Sequence, residues 1–217
     1  MSPRQRRMDA CRFPRKSAGY PVRRRILVVG EGKETEPNYF RAFGKEHGAR
    51  CGFCLVVKGA GGYSPEHCVN RAVVEMKATR NPDEEYDEVW CVFDVESVGK
   101  ADSLSKAIAT AKKSSIKTCL SNPSFEVWLI AHFERTSRSF VDAKAAERHL
   151  DGHWQQACGQ PYDKADPRVY ERLRASTETA IKNAREVHVT DHGRKDVQKC
   201  NSSTEVYQLV TFLLAGA

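Results

Sequence analysis

Three acidic residues follow apolar runs of the chain, at positions where they can act together on a metal ion. Glu31 comes directly after the run 26–30, and Asp94 and Glu96 come directly after the run 89–93. Asp94 and Glu96 are two residues apart, so an extended backbone points both side chains to one side. Clustered carboxylates repel one another unless a cation lies among them, and oxygen ligands suit Mg²⁺ or Mn²⁺. The sequence therefore predicts a metal site. The simpler alternative is that these acids only mark the points where strands end at the solvent-exposed surface.

The elements that must position these acids are alternating strands and helices. Both apolar runs, and two more at 53–57 and 116–120, are typical of strands buried on both faces. Helix signals lie between them, and Asn122-Pro123 is interpreted as the cap and first residue of a further helix over 123–133. This alternation predicts an α/β fold with a mainly parallel four-stranded sheet flanked by helices. Ligand sites of such sheets lie outside the carboxyl ends of the strands.

The last third of the chain has a different pattern. Helical stretches around 142–150, 167–173, 177–187 and 204–214 follow one another with no convincing strand between them. We expect three parts: a basic, flexible arm over 1–24, an α/β domain over 25–135, and a helical C-terminal extension over 136–217 that packs on it.

The net positive charge of the chain comes from its first 25 residues. The 217 residues carry a net charge of +7, of which the first 25 contribute +8 and the remainder −1. A basic arm of this kind gives sequence-independent, salt-sensitive affinity for DNA or RNA, and the alternative is a charged terminus without a role. The residues expected to contact nucleic acid are Arg4, Arg6, Arg7, Arg12, Arg15, Lys16, Arg23, Arg24 and Arg25.

Several protein classes have little support in the sequence. An apolar run of about 18 residues is absent, and so is the apolar segment of a secretion signal, so we expect a cytoplasmic protein without a membrane span. The eight cysteines are then interpreted as reduced thiols. Cys51 and Cys54 have the spacing of zinc ligands, but a second such pair is missing, so zinc is not expected there.

Taken together, these segments resemble a known family. A glutamate after one strand and an acidic pair after a later one are similar to the Toprim pattern of topoisomerases, primases and several nucleases. The chain resembles the RloB-like proteins, the AbiLii type of phage-defence protein, over roughly 24–214. The segments that carry this resemblance are 30–36, 121–129 with His132-Phe133, 162–164 and 201–206. Glu96 departs from the wider Toprim pattern, which has Asp at that position.

The resemblance implies a Toprim-like fold and a Mg²⁺-dependent nuclease of antiphage, abortive-infection defence. The substrate would be RNA, with tRNA as one candidate, or DNA, and the partner an AAA-type ATPase. By resemblance, Glu31 acts as general acid/base or metal ligand, while Asp94 and Glu96 hold the metal. The alternative is a non-catalytic module on the same scaffold that binds nucleic acid or docks on the ATPase. The oligomeric state is left open.

Three more residues are candidates for the site. Glu126 either complements the start of its predicted helix or reaches the acidic site, because a carboxylate on so apolar a helix needs a partner. Lys33 and Lys164 either neutralise a phosphate or are ordinary solvated lysines.

Overall fold

A computed structural model describes residues 23–79, 81, 84–95, 101–193 and 195–216. Glu96 and the arm residues from Arg4 to Lys16 lie outside these ranges. The strands of the described residues are β1 Arg24–Gly30, β2 Phe53–Gly59, β3 Glu88–Asp94, β4 Lys117–Asn122 and β5 Ser203–Thr204. The helices are α1 Thr35–His47, α2 Pro65–Ala78, α3 Ala101–Lys113, α4 Glu126–Ile130, α5 Ala143–Cys158, α6 Val169–Leu173, α7 Thr177–Glu186 and α8 Val206–Leu214.

The strands form one sheet in the order β2-β1-β3-β4-β5. The first four are parallel to their neighbours, and β5 is antiparallel to β4. This confirms the predicted α/β class with a mainly parallel sheet flanked by helices, and the arrangement is consistent with a Toprim-like fold. The expected number of four strands was one too low. Because β5 has only two residues, both polar, it carries no hydrophobic alternation that a sequence pattern can reveal.

The helix predicted over 123–133 is wrong at both ends. Asn122 is the last residue of β4 and pairs with Ser203, and its side-chain amide donates to the carbonyl oxygens of Val197 and Gln198. It therefore extends the sheet and is not a helix cap. The peptide bond from Asn122 to Pro123 is cis, and α4 begins only at Glu126.

Helices cover both faces of the sheet. Alternate residues of β1 divide between two cores, since Ile26 and Val28 belong to one and Leu27 and Val29 to the other. The first core also contains side chains of α1 and of the C-terminal helices α5 to α8, and the second contains side chains of α2 and α3. The C-terminal helices thus pack on the same face of the sheet as α1 and share one hydrophobic core with it.

One cysteine departs from the expected thiol state. The free thiols of the described residues are Cys51, Cys68, Cys91, Cys119, Cys158 and Cys200, whereas Cys54 is disulfide-bonded. The prediction was wrong at Cys54 because the spacing of cysteines along a chain does not reveal which sulfur atoms meet in space.

An aromatic cluster around Tyr39 fixes α1 against α4. The Tyr39 ring packs edge-on against Phe125, Trp128 and Tyr170, with ring centroids 5.1–6.2 Å apart. Its hydroxyl lies 3.4 Å from Nε2 of the buried His132, whose Nδ1 lies 3.1 Å from the carbonyl oxygen of Trp128. Burial lowers the pKa of His132 to about 4, so the ring is neutral at physiological pH. Since Nδ1 then donates to the carbonyl, Nε2 accepts from Tyr39.

We expect the substitution Tyr39→Phe to lower the free energy of unfolding by about 1–2 kcal/mol. It leaves the buried Nε2 of His132 without its hydroxyl donor, which is the cost of an unsatisfied buried acceptor. Urea denaturation at neutral pH measures the effect. Tyr63→Phe is the matched control, because Tyr63 is 70% exposed and should change stability by less than about 0.5 kcal/mol. Equal effects of the two substitutions would contradict the role assigned to the hydroxyl.

Candidate functional site

Glu31 and Asp94 lie side by side where the direction of the chain through the sheet reverses. From β1 the chain proceeds to β2 on one side, and from β3 it proceeds to β4 on the other. Open α/β sheets bind ligands at such switch points, outside the carboxyl ends of the strands. Glu31 directly follows β1 and Asp94 ends the neighbouring strand β3. The backbone amide of Asp94 donates to Oε2 of Glu31 over 3.2 Å, so the two strand ends are joined through the glutamate side chain.

A further carboxyl group, that of Glu36, lies at this edge. Glu36 is buried in the first turn of α1, and its Oε1 accepts from the backbone amide of Gly32 over 2.9 Å. Glycine is needed on both sides of Glu31 for this approach. A Cβ atom at Gly30 would lie 2.9 Å from Cβ of Glu36, and one at Gly32 would collide with the Glu36 carboxylate. The segment Gly30-Glu31-Gly32 therefore presents Glu31 while it makes room for Glu36.

The Glu36 carboxyl holds its proton more strongly than an ordinary glutamate. Burial raises its pKa to about 7, and the nearby carboxylates of Glu126 and Glu31 raise it as well, against a lowering effect of the Gly32 amide. Sequence reasoning missed Glu36, because an acid in the first turn of a helix is common and needs no site to explain it. The only signal was its position inside the segment 30–36, which carries part of the family resemblance.

The buried Glu126 forms an ion pair with the exposed Lys164 beside this carboxyl. Glu126 is 3% exposed, its Oε2 accepts from the Ser124 hydroxyl over 2.5 Å, and its Oε1 lies 3.0 Å from Nζ of Lys164. The same Nζ lies 3.1 Å from Oε2 of Glu147. Partial burial lowers the pKa of Lys164, but the two carboxylates outweigh this and keep it above its usual range. Lys164 is therefore a charged partner of two carboxylates and not an isolated surface lysine.

The loop that carries Lys164 is attached to the start of α1. The hydroxyl of Thr35 donates to the carbonyl oxygen of Lys164 over 3.1 Å. The side-chain amide of Asn38 donates to the carbonyl oxygen of Ala165 over 3.3 Å. Since α1 also supplies Glu36, one helix end positions both the raised-pKa carboxyl and the lysine. The C-terminal part of the chain thus contributes directly to the edge where Glu31 lies.

The other candidates lie elsewhere or outside the described residues. Lys33 is exposed in the turn between β1 and α1. Arg24 and Arg25 are at the amino end of β1, roughly 20 Å from Glu31 at about 3.3 Å per strand residue. Arg24 pairs with Glu88 at 3.5 Å, and Arg25 lies over the ring of Tyr86 at 4.6 Å. Arg23 is exposed just before β1.

A family model matches most of the chain. This model is described as RloB-like protein, and it matches residues 26–213. The chain belongs to the RloB-like family. The matched region of this RloB-like protein includes Glu31, Asp94, Glu126 and Lys164. No curated protein and no solved structure matches the chain significantly.

The donor groups of this RloB-like protein fit a hard divalent cation. Carboxylate oxygens are the ligands that Mg²⁺ and Mn²⁺ prefer, and Glu31, Asp94 and Glu36 carry them at this edge of the sheet. Among the described residues, the group of three whose ligand atoms lie within 4.8 Å of one another is not this one but Glu134, His149 and His153. Burial is the main cause of the raised pKa of Glu36, and the nearby carboxylates of Glu126 and Glu31 add a smaller effect that a cation would offset. Within the described ranges, this RloB-like protein has no helix long and apolar enough to cross a membrane.

Proposed function

We propose that this RloB-like protein is a Mg²⁺- or Mn²⁺-dependent nuclease with a Toprim-type active site. The observation that carries the proposal is the hydrogen-bonded pair of Glu31 and Asp94 at the switch point of the sheet. Glu31, Asp94 and Glu96 would hold the cation. When bound there, such a cation polarises a phosphoryl oxygen and activates a water molecule for attack on phosphorus.

The residues of the chain supply orientation and a proton site. The amide of Asp94 holds the Glu31 carboxylate at the strand end, so the side chain does not have to be ordered when a substrate binds. A general acid or base works best when its pKa is close to the operating pH. Without metal the pKa of Glu36 is raised to about 7, and a bound cation would lower it and favour the carboxylate as a proton acceptor. Lys164 keeps one positive charge beside Glu126, which limits the repulsion that the acidic edge exerts on a phosphate.

The biological setting of the proposal comes from the family. Membership in the RloB-like family supports a role in antiphage or abortive-infection defence, with an AAA-type ATPase as partner and the cytoplasm as its place of action. The substrate would be RNA, tRNA included, or DNA. The basic arm over 1–24 would add affinity for the phosphate backbone that weakens with rising salt.

A cleavage assay with the full chain tests the proposal. Purified protein is incubated with tRNA, single-stranded RNA, and single- and double-stranded DNA in Mg²⁺, in Mn²⁺ and in EDTA. We expect cleavage of at least one substrate with either metal and none in EDTA. A double variant, Glu31→Gln with Asp94→Asn, prepared in parallel, controls for contaminating nucleases.

Direct measurement of Mn²⁺ binding by electron paramagnetic resonance separates a missing metal site from a missing substrate. Absence of both cleavage and Mn²⁺ binding would refute the proposal, and so would equal cleavage by the double variant. Nucleic-acid binding without cleavage, lost when residues 1–24 are removed, would instead favour the non-catalytic module.

A further inference from the structure

A glutamate and two histidines meet between the end of α4 and the middle of α5. His149 and His153 are four residues apart on α5 and so lie on one face of that helix. Glu134 comes shortly after α4, with Oε1 2.7 Å from Nε2 of His149 and Oε2 3.6 Å from Nε2 of His153. One ligand atom from each of the three residues lies within 4.8 Å of the other two.

The packing around these residues holds the two imidazole rings in place. Phe133 stacks on His153 with ring centroids 5.7 Å apart and planes 10° apart, and Phe140 lies 5.3 Å from His149. Leu150 and Trp154, each the next residue after one of these histidines, are fully buried in the main core. The rings are therefore attached to a rigid helix, while the three side chains remain 22–34% exposed and open to an ion from solvent.

The donor set favours a particular class of metal. Two imidazole nitrogens with one carboxylate oxygen suit Zn²⁺ and its neighbours among the transition metals, whereas Mg²⁺ prefers oxygen ligands alone. Zinc bonds of about 2.0–2.1 Å place ligand atoms of a tetrahedral site roughly 3.3 Å apart. The 2.7 Å separation joins Oε1 of Glu134 to His149, and the 3.6 Å separation joins its Oε2 to His153. Side-chain rotations must therefore bring the three ligand atoms to this spacing, starting from separations that are within 4.8 Å.

We propose that Glu134, His149 and His153 form a zinc-binding site, separate from the acidic edge that carries the proposed nuclease. Three protein ligands leave a fourth position for water or another small ligand, which is the arrangement of open zinc sites. The site also differs from the zinc spacing of Cys51 and Cys54, since it uses no sulfur. It does not depend on the proposed nuclease function, because it shares no residue with the acidic edge.

Cobalt binding by the full chain tests the proposal. Co²⁺ replaces Zn²⁺ in such sites and gives visible absorption bands, and excess Mg²⁺ in the buffer occupies the oxygen-ligand site. We expect one Co²⁺ per chain, displaced by Zn²⁺, without the near-ultraviolet band of thiolate coordination. His149→Gln and His153→Gln should each weaken binding by about a hundredfold or more, since even indirect partners of a metal cost ten- to a hundredfold when removed.

Matched variants keep the test specific. His67→Gln alters an exposed histidine outside the cluster and should bind Co²⁺ as the wild type does. Glu134→Gln preserves side-chain size and provides a second test if a histidine variant fails to fold, as judged by circular dichroism. Wild-type affinity in the folded cluster variants, a thiolate band, or no Mg²⁺-resistant Co²⁺ binding would overturn the proposal and leave an ordinary histidine–glutamate hydrogen bond.

Discussion

The Glu31→Gln protein is expected to stay folded but to cleave nucleic acid, in the presence of metal, about a thousandfold or more slowly than the wild type. The substitution keeps the size of the side chain, and the amide oxygen can still accept from the backbone amide of Asp94. It removes the negative charge that would hold the cation. Stabilisation of transition-state charge by a metal contributes several kcal/mol, and about 4 kcal/mol corresponds to roughly a thousandfold in rate.

Single-turnover cleavage of whichever nucleic acid the wild type cuts measures this loss. Glu178→Gln is the control, because Glu178 is an exposed acid on α7 and its substitution should leave the rate unchanged. Mn²⁺ affinity should fall together with the rate. If Glu31→Gln retained cleavage within about tenfold of the wild type at saturating metal, Glu31 would have no essential part in the reaction.

The second large effect is a pH dependence of stability that comes from Glu36. Its pKa is raised from 4.5 to about 7 in the folded protein, so between these values the folded state keeps a proton that the unfolded state has lost. Stability that is fully present below about pH 4.5 therefore falls as the pH rises towards 7. At 1.36 kcal/mol per pKa unit, the loss is up to about 3 kcal/mol by pH 8.

Glu36→Gln should remove this loss. Its amide oxygen can still accept from Gly32, but the group no longer ionises. In metal-free buffer we expect the variant to gain up to about 3 kcal/mol relative to the wild type between pH 4 and pH 8, measured by urea denaturation at each pH. His132 acts in the opposite direction, since its lowered pKa costs stability as the pH falls from 6.5 towards 4. The difference between variant and wild type cancels this contribution, because both contain His132.

The outcome also reports on the metal site. A cation bound beside Glu36 favours the ionised carboxylate, so saturating Mg²⁺ should flatten the pH dependence of the wild type and leave that of Glu36→Gln little changed. A constant difference between the two proteins across the pH range, with or without Mg²⁺, would show that Glu36 ionises as it would in water.

The part of the candidate site on β1 and β3 was predictable because it depends on local patterns. Continuous apolar runs mark buried parallel strands, and the residue that follows each run must lie at the carboxyl edge of the sheet. Glu31 and Asp94 could be assigned to that edge without knowledge of any contact between them. The order of the strands then makes them neighbours.

The rest of the site depends on contacts that sequence patterns do not encode. Lys164 meets Glu126 across 38 positions of the chain, through a loop whose path is set by hydrogen bonds to Thr35 and Asn38. Glu36 resembles any acid in a first helical turn until its burial is known. The cluster of Glu134 with His149 and His153 was missed for the same reason: the two histidines share a helix face, but their third partner precedes that helix.

The two-residue strand β5 has a consequence for how copies of the protein behave towards one another. An edge strand with unpaired backbone groups is a template for pairing with another molecule, which leads to aggregation. Here the outward amide of Leu120 donates to the Glu205 carboxylate over 3.1 Å, and its carbonyl accepts from the Glu205 amide over 2.8 Å. Beyond it β5 pairs with Ser121 and Asn122, while the exposed Lys117 places a charge at the start of β4. A few polar residues over 203–205 thus keep the sheet from growing into a neighbouring molecule at its β4 edge.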